Sequence, residues 1–387
     1  MLYRVCISVC GLLALVAGLS AAETAEARRE GAFWVLTSSG VETVPPRMPL
    51  RVLATGAVNA SAETQDEVHW RLTVRVRGRS QEQANRLLKE MRVQAGRQGQ
   101  GMILTARHSE GSVELELKAP RTLPDFDVVT AGGPVELAGF DGDASVRTGG
   151  GRVKADRIGG SFSAQTGGGD IVLGRVAGAA ACISSGGSIR ADFIGGNADF
   201  KTAGGEIHLR QVNGVVRAST AGGGVRVEKA ETTVFADTAG GPIDIHYTSG
   251  KVEARSAGGP IHVGAANGVL CETGGGAIRL HNVSGSLRAS TSVGSIFAQL
   301  LAGRPTADSL FSTGSGDITI VIPSNLGVTI RARNEAADTV RRIVSEFPGV
   351  QVQLRGGAVI AEGEINGGGP VLRISGNNGT IFIKRLN

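Results

Sequence analysis

A threonine or serine standing before a glycine pair recurs at Thr130, Thr148, Thr166, Ser184, Thr202, Thr220, Thr238 and Ser256, each 18 residues after the last. The phrase that follows is of one kind throughout, as in TAGGPVEL, TGGGDIVL, TAGGEIHL and TAGGPIDI. A fixed short period of strand-like phrases means a stacked solenoid, in which each coil touches its neighbours alone. Within a coil, apolar residues fall five and seven places after the threonine (Val135 and Leu137, Ile171 and Leu173, Ile207 and Leu209) and usually at ten (Ile158, Val176, Ile194). They return four and two places before the next threonine, as Phe162 and Ala164, Val216 and Ala218, Val234 and Ala236. The alternation predicts two short strands per coil joined by glycine corners. The expected fold class is all-β: a narrow, two-faced β-solenoid (a β-helix or β-roll) of 18-residue coils, preceded by a small α+β capping module. Its handedness is not set by the pattern.

Glycine supplies 59 of the 387 residues, about twice its usual share, without the strict third-position period of collagen. The formal charge of +5 is modest for this length and does not point to nucleic acid. Residues 1–22 read as a secretory signal peptide, with Arg4 as its charge, an apolar run over 5–19 and Ser20-Ala21-Ala22 as the cleavage site. That run is shorter than the roughly 20 residues a membrane span needs. The mature chain is therefore expected to be exported, to the periplasm or the cell exterior, with no transmembrane span after cleavage. Cys182 and Cys271 then remain, in one column of the solenoid but five coils apart. At about 4.8 Å per coil that is roughly 24 Å, too far for a disulfide.

Residues 23–49 read as a leader or linker with one strand near 33–36, and residues 50–125 as the α+β capping module. In that module Val68, Trp70, Leu72, Val74 and Val76 alternate with polar residues as a half-buried strand does. Ser80-Gln81-Glu82-Gln83 forms a capping box ahead of Ala84, Leu87, Leu88 and Met91 at helical spacing. Residues 126–302 are the regular β-solenoid. Residues 303–387, where the period loosens, are irregular terminal coils and a C-terminal cap.

The repeated motifs all have structural uses. A phosphate cradle occurs once, between a strand and a helix, whereas these glycine corners occur in nearly every coil, where φ is positive or neighbouring coils touch. Calcium-binding rolls need a recurring ligand aspartate, whereas after these corners only Asp170, Asp244 and Asp317 appear, and they share no common offset. The threonine column continues the inward parity of its strand, so its hydroxyls are expected to bond corner backbone and one another. Neither a nucleophile elbow nor HExxH is present, and His208 and His262, with His246 and His281 at another offset, read as solvated. No catalytic residue, cofactor or metal site is expected. The position six residues after each threonine or serine points outward and reads Glu136, Lys154, Val172, Arg190, His208, Arg226, Asp244, His262, Arg279, Phe297. Lys154, Arg190, His208, Arg226, His262 and Arg279 thus form a discontinuous basic row suited to a polyanion, or simply to keeping sheets apart.

VELELKAP at 113–120, the Gly-rich TxGGxVxL coils, SGDITIVIPSN at 315–325 and the closing GxINGGGPVLRISGNNGTIFIKR resemble the bacterial putative-adhesin family of Gly-rich β-solenoid domains of unknown function. The resemblance covers residues 50–385 and implies no catalytic residues. The expected function is an exported, non-enzymatic scaffold or adhesin-like interaction module of the cell envelope or surface, with an acidic glycan or another envelope protein as partner and an oligomeric state the sequence leaves open. The alternative is a carbohydrate-active enzyme, a polysaccharide lyase or hydrolase on a β-helix, which would need paired carboxylates or an Arg-Lys cluster on adjacent coils.

Overall fold

A computed structural model describes residues 23–24, 27–45, 47–78, 80–89, 92–108, 111–303, 307–335 and 342–386. The signal-peptide segment lies outside them. Two parallel ladders run the length of the molecule. One carries the strands that end on the repeat hydroxyl, and joins Thr130 through Thr148, Thr166, Ser184, Thr202, Thr220, Thr238, Ser256 and Thr273 to Thr291 without a slip at those positions. The other joins Val135 through Val153, Ile171, Ile189, Ile207, Val225, Ile243, Ile261 and Ile278 to Ile296. Their inward residues meet in one continuous core of aliphatic residues with a few phenylalanines.

The hydroxyl column explains the repeat. Thr166 Oγ1 donates to Gly151 O of the preceding coil at 2.9 Å and accepts from Gly169 N of its own corner at 3.2 Å. Ser184 does the same with Gly169 O and Gly187 N, at 3.0 and 2.9 Å. A buried hydroxyl thus satisfies one carbonyl and one amide that the corner takes out of the ladders. Bonds between the hydroxyls, which the inward parity predicts, are not found among the described residues, because each from Thr148 to Thr273 already has both partners in backbone. The third corner residue is fixed by the same stacking: a Cβ on Gly187 would lie 2.2 Å from Gly169 O. Close approach, and not a left-handed backbone, demands glycine there, since Gly187 and Gly205 do not have positive φ. Asp and Asn at other corners bridge to the next coil's amide, Asp143 Oδ1 accepting from Ser161 N at 2.7 Å and Asn197 Oδ1 from Val215 N at 2.9 Å. Cys182 and Cys271 are free and fully buried in one ladder column, separated by Phe200, Ala218, Ala236 and Ala254. Desolvation pushes both thiols well above their ordinary range.

Both ends of the stack depart from sequence order. Leu50–Ala54 and Ala57–Glu63 make a full coil on Asp125–Thr130 and Val135–Ala138. Gly101–Arg107 and Ser112–Pro120, nearer in sequence to the solenoid, stack outside that coil. The stretch expected to be only a cap thus supplies two coils, closed by antiparallel Arg92–Gln98 on one ladder and Glu67–Val76 on the other. Phe33–Thr43, read as leader with a four-residue strand, is an eleven-residue strand paired along Glu67–Val76. Its pattern is masked because Gly40 faces Trp70, where a Cβ would come within 2.6 Å of the indole. The helix Gln81–Leu88 starts as expected, with Ser80 Oγ accepting from Gln83 N at 3.2 Å. At the other end Val371–Asn378 and Ile381–Leu386 slot between the coil of Ser309–Ser315 and Ile318–Pro323 and the coil of Val328–Asn334 and Ile343–Ser345. An antiparallel hairpin, Val350–Arg355 with Ala358–Ile365, covers Val328–Asn334.

Candidate functional site

The basic row lies on the outer surface of the second ladder, between the inward positions five and seven. There it forms one register-true column, from Glu136 through Lys154, Val172, Arg190, His208, Arg226, Asp244, His262 and Arg279 to Phe297. The structure therefore brings all six cationic or protonatable residues onto one line, with a rise of about 4.8 Å per coil. Most of their charge is met internally. Lys154 Nζ pairs with Glu136 at 3.3 Å, His208 Nε2 with Glu228 at 2.9 Å, and Arg226 with Asp244 Oδ2 at 3.1 Å. Asp244 Oδ1 also faces His262 Nδ1 at 3.2 Å and His246 Nε2 at 3.5 Å. Arg190 and Arg279 have no ion-pair partner among the described residues, and both are exposed.

The carboxylates that meet Lys154, Arg226 and His262 are Glu136 and Asp244 of the row itself, and position eight adds to this balance. It supplies Glu228, His246 and His281 beside the row, and also Arg210, an exposed arginine with no ion pair among the described residues. Position nine adds Phe193, whose ring Arg175 covers at 4.3 Å from the centroid. Arg175, Phe193, Arg190 and Arg210 thus lie on three consecutive coils and mix cations with one aromatic ring. Counting outward positions at eight and nine as well as six would have exposed Glu228 and this cluster.

Farther along, His281 stacks edge-on to His262 at 5.4 Å and lies 5.0 Å from the Phe297 ring. Burial first, then His262 and Arg279, hold its pKa below the ordinary histidine value, against an opposing hydrogen bond with Gln299. Because the folded value is the depressed one, its contribution to stability is present above the unfolded pKa and falls away as pH drops below it. Following the imidazole resonances by NMR should find His281 titrating below a model histidine, and His262→Asn should bring it upward. An unmoved titration in that variant would mean that His262 has no part in it, leaving burial and Arg279.

The opposite face carries a shallow groove of about 960 Å³ beside the hydroxyl column, with Lys201, Asp237, Arg255 and Glu272 along it and Ile183 at one end. Arg255 and Glu272 pair across it at 3.3 Å. Among the described residues no group of three or more His, Cys, Asp or Glu is arranged to hold a metal ion, and no helix is long and apolar enough to cross a membrane.

No family model and no curated protein matches the chain. Solved structures that it is similar to include one described as a putative cell adhesion protein from Clostridium sporogenes, 11% identical over 90% of this chain and 100% of that one, with a TM-score of 0.16. Another is described as a putative adhesin from Bacteroides fragilis, 11% identical over 90% and 97%, with a TM-score of 0.23. A third, described as a putative lipid binding protein from Parabacteroides distasonis, is 12% identical over 74% and 97%, with a TM-score of 0.25.

Proposed function

We propose that the chain is an exported, non-enzymatic β-solenoid, a cell-envelope or surface scaffold whose outer ladder face binds an extended acidic glycan. The observation that carries this reading is the single-file column from Lys154 to Arg279, in which Arg190 and Arg279 have no carboxylate partner among the described residues. Those two arginines lie five coils apart, about 24 Å along the rod. One rigid surface therefore offers separated charges to a polymer that can engage them together, and modest contacts sum when they are joined on one ligand. Arg210 and the Arg175–Phe193 pair extend the anion-binding surface around Arg190.

The test is retention on an immobilised anionic polysaccharide. Lys154, Arg190, Arg226 and Arg279 all changed to Gln should abolish retention without lowering the melting temperature. Arg190→Gln with Arg279→Gln should account for most of that loss, because Lys154 and Arg226 already face carboxylates. Retention of the parent should fall as salt screens charges over about 10 Å at 0.1 M. Equal retention of parent and quadruple variant would end the proposal. Retention on an acidic protein surface but on no polysaccharide would transfer the row to a protein partner of the envelope.

A further inference from the structure

An unpaired strand edge is a template for another strand, and natural sheets blunt such edges with short strands, charge, proline or a covering segment. This molecule blunts most of its own. Phe33–Thr43 is covered by Glu23–Thr24 and Arg28–Glu30. The outer strand Arg92–Gln98 carries Gly96 and Arg97. Ile343–Ser345 is three residues long. Beyond it, Ile381–Leu386 presents Lys384 and Arg385, and the Arg385 amide already donates to Glu346 Oε2 at 2.8 Å.

The strand Val350–Arg355 has few of these devices, its first amide, Val350 N, donating to Phe347 O at 3.1 Å. Its sequence is VQVQLR, it pairs with Ala358–Ile365 on one side, and among the described residues nothing pairs with the other. Its only charge is at its last position. Val350, Val352 and Leu354 share one face, with Val350 buried and Leu354 57% exposed, while Gln351 and Gln353 point the other way and are exposed.

We propose that this edge is a dimerisation surface, taking the same strand of a second copy in antiparallel pairing about a two-fold axis through Val352. The strand is self-complementary in that register. Val350 falls opposite Leu354 of the other copy, Val352 opposite Val352, and Gln351 opposite Gln353. Every apolar residue therefore meets an apolar residue on one face, and glutamines meet glutamines on the other. Arg355 falls opposite Gly349, so no like charges face each other. Cross-strand pairs of this kind are what stabilises a sheet, and a two-fold contact uses one patch twice and then closes. A second copy is favoured over an unrelated strand because the self-pairing leaves no residue mismatched in polarity. The contact is short, so the dimer is a weak one that dissociates on dilution.

The experiment uses the full chain in sedimentation and oxidative cross-linking. The parent at roughly 100 μM, well above micromolar dissociation constants, should sediment as a dimer. Val352→Cys should form an interchain disulfide on mild oxidation, since directly opposed Cα atoms lie about 4.5–5.5 Å apart, within disulfide reach. Gln351→Cys alone should not, because the thiol it introduces in each copy lies opposite Gln353 of the other. Cys182 and Cys271 are buried and stay out of the reaction, and Cys6 and Cys10 are changed to Ser in every variant. Changing Gln351 and Gln353 both to Lys, or both to Glu, should weaken the dimer at least tenfold with an unchanged melting temperature. Mixing the two variants should restore it as a heterodimer. A monomeric parent, a dimer indifferent to both charge variants, or cross-linking of the Gln351→Cys variant in place of the Val352→Cys variant would each overturn the proposal.

Discussion

Gly187→Val or Gly205→Val is expected to destabilise the solenoid by about 3 kcal/mol or more, at the upper end of what overpacking costs. Each Cβ would lie 2.2 Å from the carbonyl oxygen of the glycine one coil back. In the first case that oxygen, Gly169 O, is also the acceptor for the Ser184 hydroxyl. The added side chain therefore opens the coil spacing and breaks the buried hydroxyl's bond together, and the bond alone is worth about 1 kcal/mol. The middle glycine of the corner behaves in the opposite way. A Cβ on Gly168 or Gly240 would meet nothing within 4 Å, and neither residue has a positive φ. Gly168→Ala and Gly240→Ala should each raise stability by about 0.4–1 kcal/mol by restricting the unfolded chain. Denaturant melts of the four variants separate the two roles. Equal damage at middle and third glycines would show that the corner is held by backbone conformation and not by stacking.

A variant ending at Pro370 is expected to lose far more than its terminal position suggests. The strands it removes bury Leu372, Ile374, Ile381 and Ile383 between two other coils, apolar burial worth about 6–12 kcal/mol at 1.5–3 per side chain. It also strips partners from the coil above: Gly316 N loses Asn378 O, Ile318 N loses Thr380 O, and the Asp317 carboxylate loses the Thr380 amide. The melting temperature should fall by more than about 10 °C, and the edge of Ser309–Ser315 should open to aggregation. A truncated protein that melts like the parent would mean that these strands do not sit inside the stack.

The coil was legible because its ladder partners lie 18 residues apart and its inward positions repeat with them, so one pattern gives strands, register and the Cys182–Cys271 separation. The ends were not legible for a physical reason. Val371–Asn378 finds its neighbour at Ser309–Ser315, across a whole intervening coil and hairpin, and no local period encodes a pairing of that range. The long first strand hid behind Gly40, whose missing side chain makes room for Trp70. On the candidate face, position six gave the column itself. Its charge balance rests on Glu136 and Asp244, which the row itself contains, and on Glu228 at another offset beside His208, which emerges only when the coils are laid side by side.

The constant register has a consequence for length. Between Thr148 and Ser256 each ladder pairing joins a coil to the one 18 residues away, and each repeat hydroxyl reaches back 15 residues, as from Thr202 to Gly187 and from Thr220 to Gly205. Excising residues 185–202 would hand each bond to an equivalent partner and leave the caps untouched. The distance between the two caps is then a quantity adjustable in steps of about 4.8 Å, by in-frame loss or duplication of one repeat. A molecule built this way is a ruler: its reach can change between relatives while the contacts that hold each graduation to the next stay the same.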